Sequence, residues 1–525
     1  MVDRPRAPGR VRRRSVTRDW PGAPEVVATV ERPRDDLVLE ERDGDGSYRQ
    51  AAGPFTAYRR TVTDDRARGV VRETTTYDFA IPWFAWIFAL PVRWSIARRG
   101  RHPTARHGVA SGSPWWAPPD RLDARTLVVL GLLAAASMSS AFVNTLFTQT
   151  VNFAADDFGV SDAGVGIAGS VVRAGIVLVL PVAALADRAG RRRMVSAMAI
   201  AAPLVTAAGA LAPTFPILVA TQAVGRPLGL ALDFLVAVVA TEEMPRNSRA
   251  YAVSILAMAS GLGAGIAVIA LPLADLSPGA WRLVYVVALV WLVVAVDIAR
   301  RLPETRRFAR PHVVAPRLDR GRFAVLAAVA LLTNLFVAPA SLFQNGYLKD
   351  VRGFSATEIS IFTLATATPA GIGLVLGGKV ADVRGRKLLI ATVLPLATAL
   401  GVVSFSIGGA VMWGATFLAG VLGGVTYPAL AVYRTELFPT GNRGRAAGLL
   451  TATALLGGIG GLLLMGTLLD RDWSHGHVMA LLASAQLAVI VVVLRWYPET
   501  AHQELEALNP EDAAGSAGAR TRHPG

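Results

Sequence analysis

Three charged signatures each occur twice in this chain at a nearly constant step, and no other feature restricts its fold as much. Ala183-Ala-Leu-Ala-Asp187-Arg-Ala-Gly190-Arg191-Arg192 returns as Gly378-Lys-Val-Ala-Asp382-Val-Arg-Gly385-Arg386-Lys387, which separates Asp187 from Asp382 by 195 positions. Glu242-Glu-Met-Pro245-Arg-Asn-Ser-Arg249 returns as Glu436-Leu-Phe-Pro439-Thr-Gly-Asn-Arg443, with Pro245 and Pro439 194 apart. Pro303-Glu304-Thr305 returns as Pro498-Glu499-Thr500, again at 195. Three matches in one register mark an internal duplication. Apolar segments surround every copy, so the inference is a membrane protein built of two similar halves.

Composition agrees. Of 525 residues 53% are hydrophobic and 17% charged, whereas soluble domains carry about a quarter charged residues. A formal charge of +15 points to nucleic acid in a soluble protein. Here the basic residues crowd the ends of apolar segments, where they set topology, and no nucleic-acid partner is expected. Cysteine is absent, which excludes disulfides, thiolate metal sites and cysteine nucleophiles. No apolar stretch follows Arg12-Arg13-Arg14, so an export signal is not expected and the amino terminus is expected in the cytoplasm.

Residues 1–122 form an extension rich in Arg, Pro, Asp and Glu. Its start reads as disorder, and the alternation at 55–62 and 70–79 predicts a small hairpin. The apolar run 79–91 is too short to cross a bilayer. With Arg93, Arg98 and Arg99 behind it, it reads either as an interfacial anchor or as a stretch that packs on the helix bundle.

From Thr126 onward twelve segments are long and apolar enough to span, near 126–150, 162–186, 194–213, 215–241, 249–273, 280–301, 323–347, 356–380, 388–408, 410–435, 445–469 and 476–497. The expected organisation is a first half at 123–302, a linker at 303–322, a second half at 323–497 and a tail at 498–525. Loops after even-numbered segments carry Arg188 and Arg191–193, Arg246 and Arg249, the arginines of 300–322, Arg384, Arg386 and Lys387, and Arg443 and Arg445. The opposite loops hold chiefly Arg282, Lys349, Arg352 and Arg471. The positive-inside rule therefore places the signature loops and both termini in the cytoplasm, in a multi-pass plasma-membrane protein.

The Asp-x-x-Gly-Arg-[Arg/Lys] loop after segment 2, with its copy after segment 8, resembles the hallmark loop of the major facilitator superfamily. Glu-x-x-Pro-x-x-x-Arg after segments 4 and 10, and Pro-Glu-Thr after 6 and 12, are similar to the sugar porter and metabolite:proton symporter branch. The resemblance covers about residues 126–508. It implies an all-α fold of twelve transmembrane helices in two six-helix halves, and secondary transport by alternating access. It also implies a cytoplasmic gate: Asp187, Gly190, Arg191, Glu242, Arg249 and Glu304 in one half, and Asp382, Gly385, Arg386, Glu436, Arg443 and Glu499 in the other. In the resembling family these charges latch the outward-facing state; the alternative is that they set topology and cap helices. The chain departs from the sugar porters in having no acid within segment 1 and no paired glutamines in segment 7. It also lacks the Gly-Pro pair of drug/proton antiporters in segment 5.

Charges at mid-membrane are expensive and mark function. Arg173 in segment 2 and Arg226 in segment 4 lie 14 and 16 residues from Asp187 and Glu242, which puts both at similar depth. They can address one ligand. Asp233, seven residues after Arg226, is on the same helix face about two turns away and is the candidate proton carrier. The alternative for all three is a salt-bridge network holding the two helices together. Asn144, Gln149, Asn334 and Gln344 add polar groups in segments 1 and 7, which line the central cavity in the resembling fold, and each can equally bond a neighbouring helix. Arg173, Arg226 and Asp233 have Ala367, Gly420 and Tyr427 at the repeated positions, so the asymmetric residues are where a substrate is expected.

These features predict a monomeric transporter for a small polar organic solute, with an organic anion moved together with protons favoured by the two arginines. A sugar or polyol carrier, a drug exporter, and a membrane sensor that has lost transport are the alternatives. No nucleophile, metal or phosphate-loop constellation occurs, so neither an enzyme nor a cofactor is expected.

Overall fold

The computed structural model describes residues 14–65, 68–98, 117–118, 120–179, 185, 190–245, 248–304, 319–374, 386–438 and 443–498. The extension folds first along the chain: β1 (Arg14–Pro21), α1 (Pro24–Val30), β2 (Leu39–Arg42), β3 (Ser47–Ala52), β4 (Phe55–Asp65) and β5 (Val70–Phe79). The strands form one antiparallel sheet in the order β1-β5-β4-β3-β2. The expected hairpin is thus the middle of a five-stranded sheet; of the opening residues expected to be disordered, 1–13 lie outside the described residues and those from Arg14 form β1. Composition misled because some of the charges that indicate disorder are inside. Arg60 of β4 is fully buried and lies 2.6 Å from Glu40 and 3.4 Å from Glu73. Arg34 and the Trp20 indole N–H hold the Glu73 carboxylate at 2.8 and 3.0 Å. Paired and hydrogen-bonded charges can be buried where lone ones cannot.

Burial alone pushes the Glu73 carboxyl up, but the charges of Arg34 and Arg60 outweigh it and hold it below its ordinary value of 4.5. A depressed native value contributes stability that is fully present above 4.5 and is lost as pH falls below it, through the native value. Hydrogen exchange of the full-length protein should therefore show β4 and β5 protected at neutral pH and opening on acidification. Glu73→Gln should flatten that dependence; an unchanged pH profile in this variant would refute the assignment.

After the sheet, α2 (Ala85–Arg98) turns Val92 and Ile96 onto Phe55 and Tyr77 of its core. Trp86, Leu90 and Trp94, four residues apart, are 72, 70 and 59% exposed. Its approach is tied to the helix bundle: Trp83 at φ 66 donates its indole N–H to Asp297 at 3.0 Å. That backbone conformation costs about 1–2 kcal/mol for a residue with a Cβ.

The bundle comprises α3 (Ala124–Phe158), α4 (Asp162–Ala174), α5 (Arg191–Ala208), α6 (Phe215–Glu243), α7 (Arg249–Ile269) and α8 (Trp281–Arg301). The second half comprises α9 (Arg320–Gly346), α10 (Ala356–Ala367), α11 (Arg386–Ser404), α12 (Gly409–Glu436), α13 (Arg443–Leu469) and α14 (His475–Trp496). Ten helices among the described residues are long and apolar enough to cross a membrane. The other two expected spans correspond to α4 and α10, whose continuations include 180–184 and 375–385, outside the described residues.

The halves pack alike: α3 on α7 as α9 on α13, α5 on α6 as α11 on α12, and α5 on α8 as α11 on α14. Glycine permits the closest of these approaches. A Cβ on Gly263 of α7 would stand 2.1 Å from the Met138 carbonyl of α3, and one on Gly457 of α13 2.0 Å from the Leu331 carbonyl of α9. Between halves, α4 lies along α13, α3 against α9 and α7 against α10.

Candidate transport site and gates

Arg173 and Arg226 come to one level because α4 and α6 touch there. A Cβ on Gly175 would stand 2.3 Å from the Ala223 carbonyl and 2.9 Å from the Pro227 ring, within three residues of each arginine. Arg173 reaches the other half, its guanidinium 3.2 Å from where a Cβ on Gly458 of α13 would be. Neither arginine forms an ion pair among the described residues, and Arg226 Nε is buried without a hydrogen-bond partner there. The salt-bridge network that the sequence left open is therefore not what these helices show. Two cations at one depth repel each other unless an anion lies between them.

Asn144 of α3 donates to Ser140 at 3.3 Å, and its Oδ1 is buried without a partner among the described residues. That oxygen faces Gly229, one turn from Arg226. Asp233 has an exposed side chain with Ser137 Oγ at 3.3 Å, and Ser137 lies 2.7 Å from Ser260. No sequence signal ties these serines to Asp233, because α3, α6 and α7 bring the three together only by packing.

The remaining polar candidates separate. Asn334 donates to the Ala330 carbonyl of its own helix at 3.3 Å. Gln149 belongs to a junction between halves at the end remote from the repeated loops: Asn345 Nδ2 donates to Gln149 Oε1 at 3.0 Å. Asn152 donates to the Leu342 carbonyl at 3.2 Å, and Asp156 pairs with Lys349. The group of α9 that reaches α3 is thus Asn345, beside the Gln344 singled out from the sequence; a one-residue step turns a helix by about 100°.

At the repeated loops, Gly190 precedes α5 at φ +99, a conformation that strains any residue with a side chain, and a Cβ there would meet Glu304 Oε2 at 2.8 Å. Glu304 accepts the Arg192 amide at 3.2 Å, a carboxylate on a helix N-terminus. Arg191 pairs with Glu242 at 3.5 Å. These contacts hold α5, α6 and the end of α8 together within one half. Arg386 opens α11 and is buried. Arg249 and Arg443 begin helices and Glu436 ends one. Asp187, Asp382, Gly385 and Glu499 lie outside the described residues.

A duplicated helix bundle with loop charges at one end and, among the described residues, two cations without ion pairs at one level within it has the architecture of a membrane transporter. The Major Facilitator Superfamily model matches residues 129–338 and 323–520, and the chain belongs to that family. A curated relative, the 3-(3-hydroxy-phenyl)propionate transporter of Escherichia coli (strain K12), is 30% identical over 347 residues, covering 62% of this chain and 84% of the relative. The fold is shared with the xylose transporter XylE from E. coli in its inward open conformation, at TM-score 0.60 and 15% identity over 74% of this chain and 99% of that one. It is also shared with a bacterial homolog of the human lysosomal transporter Spinster, inward-facing and unoccupied, at TM-score 0.55 and 19% identity over 75 and 96%.

Proposed function

We propose that the chain moves a small organic anion, a carboxylate, across the plasma membrane together with protons, as a monomer working by alternating access. The observation that carries this reading is the pair of cations at one level of α4 and α6, one of them with a guanidinium nitrogen that is buried and has no partner among the described residues. A buried charge without a partner is strongly unfavourable, and a carboxylate between Arg226 and Arg173 removes that penalty through charge-assisted bonds. Asn144 supplies a further polar contact. The name of the curated relative, a 3-(3-hydroxy-phenyl)propionate transporter, supports an organic acid as the substrate class. Asp233, hydrogen-bonded to the Ser137 hydroxyl of α3, carries the coupling proton.

The arginine-rich loop end is assigned to the cytoplasm, so the junction of Gln149, Asn152 and Lys349 closes the outer face. The extension then lies on the cytoplasmic side, with Trp86, Leu90 and Trp94 of α2 at the headgroup level of the bilayer. Reconstituted protein should take up aromatic or aliphatic carboxylates from a labelled panel that also contains sugars. An imposed inward proton gradient should raise that uptake severalfold. Uptake of sugars alone would replace the anion reading, and movement of no solute would end the transport reading.

A further inference from the structure

The end of the bundle remote from the repeated loops carries a second duplicated device. The second helix of each half, α4 and α10, starts against the other half, and each is capped by its own serine. Ser161 accepts the Gly164 amide at 3.4 Å and Ser355 the Glu358 amide at 3.2 Å. A serine satisfies one of the amides that a helix N-terminus leaves open. The neighbouring amides go to an aspartate of the opposite half. Asp275, beyond α7, accepts Ala356 N at 2.7 Å, Thr357 N at 2.8 Å and Thr357 Oγ1 at 2.6 Å. Asp470, beyond α13, accepts Ala163 N at 3.0 Å. Asp275 and Asp470 are 195 positions apart, and Ser161 and Ser355 194. One contact is therefore made twice, once in each direction between the halves, in the register of the loop signatures.

A carboxylate at a helix N-terminus gains charge-assisted hydrogen bonds and the positive end of the helix dipole. Neither helix needs the aspartate in order to be capped; in α10, Glu358 already completes a capping box with Ser355. What the aspartates stabilise is the meeting of the halves. Their bonds exist only while these ends touch, so they bias the equilibrium between closed and open arrangements. We propose that Asp275 and Asp470 are reciprocal latches that hold the outer gate closed, acting as positioning residues for the transport cycle and not as contacts to the substrate. This rests on the alternating-access reading above.

The chain has no cysteine, so spin labels at Ser277→Cys and Arg471→Cys, both exposed, report the distance across this face in full-length protein in lipid nanodiscs. Asp275→Ala should move the open-to-closed ratio about tenfold toward open. Asp470→Ala, which loses one bond instead of three, should move it less, and the double variant more. Thr357→Val removes one donor and leaves the charge; it should shift the ratio in the same direction and serves where the aspartate variants do not fold. Unshifted distances in Asp275→Ala and the double variant, or in Thr357→Val if those fail to fold, overturn the latch. Carboxylate uptake by the same proteins in vesicles separates the two readings. A wild type that exchanges states and transports while the variants stay unshifted sinks the latch alone, and one that does neither sinks both.

Discussion

Replacing Arg226 with glutamine should weaken binding of an organic carboxylate by about a hundredfold or more, measured by calorimetry on purified protein. The magnitude follows from removing one member of a buried ion pair, which costs about 3–5 kcal/mol because the other charge is left without a partner. Arg226→Lys should recover part of the affinity, since it restores the charge but not the two-pronged geometry of a guanidinium on a carboxylate. The free protein should be little harmed or even stabilised by Arg226→Gln, because Nε has no partner there among the described residues to lose. A structural arginine would show the reverse, lower stability with binding intact, and equal affinity in Arg226→Gln would remove it from the site.

Asp233→Asn should abolish accumulation driven by a proton gradient while leaving counterflow exchange of the same solute. Asparagine keeps the size and an oxygen for Ser137, which stands 3.3 Å from the carboxylate, but cannot gain or release a proton. If Asp233 only braced α3 against α6, the variant would lower both activities together. Accumulation at the wild-type level would sink the coupling role outright.

Much of the bundle was legible because membrane segments are read from length and hydropathy, and each signature lay within one short stretch of chain. Arg173, Arg226 and Asp233 stood out for the same reason: a charge inside an apolar run needs no neighbour to be noticed. The partners of those charges were not legible. Gly458 makes room for Arg173 from a helix 285 positions away, and Asn345 reaches Gln149 while Gln344 does not, because helix rotation decides which side chain faces across. The sheet was half seen. Strands β4 and β5 alternate visibly, but that alternation does not reveal that Arg60, Glu40 and Glu73 are the paired interior of the extension.

By itself, the sequence determined the duplication, the membrane class, the loop charges and the presence of three ionisable groups inside apolar segments, all properties carried by local composition and by one constant step. Only the tertiary structure decided which groups meet. It left Arg226 without a partner among the described residues, turned Glu304 onto the start of α5, and set Asp275 and Asp470 on helix ends of the opposite half. The physical reason is that a hydrogen bond or ion pair depends on distances of about 3 Å between residues hundreds of positions apart, and no local pattern of the chain encodes that meeting.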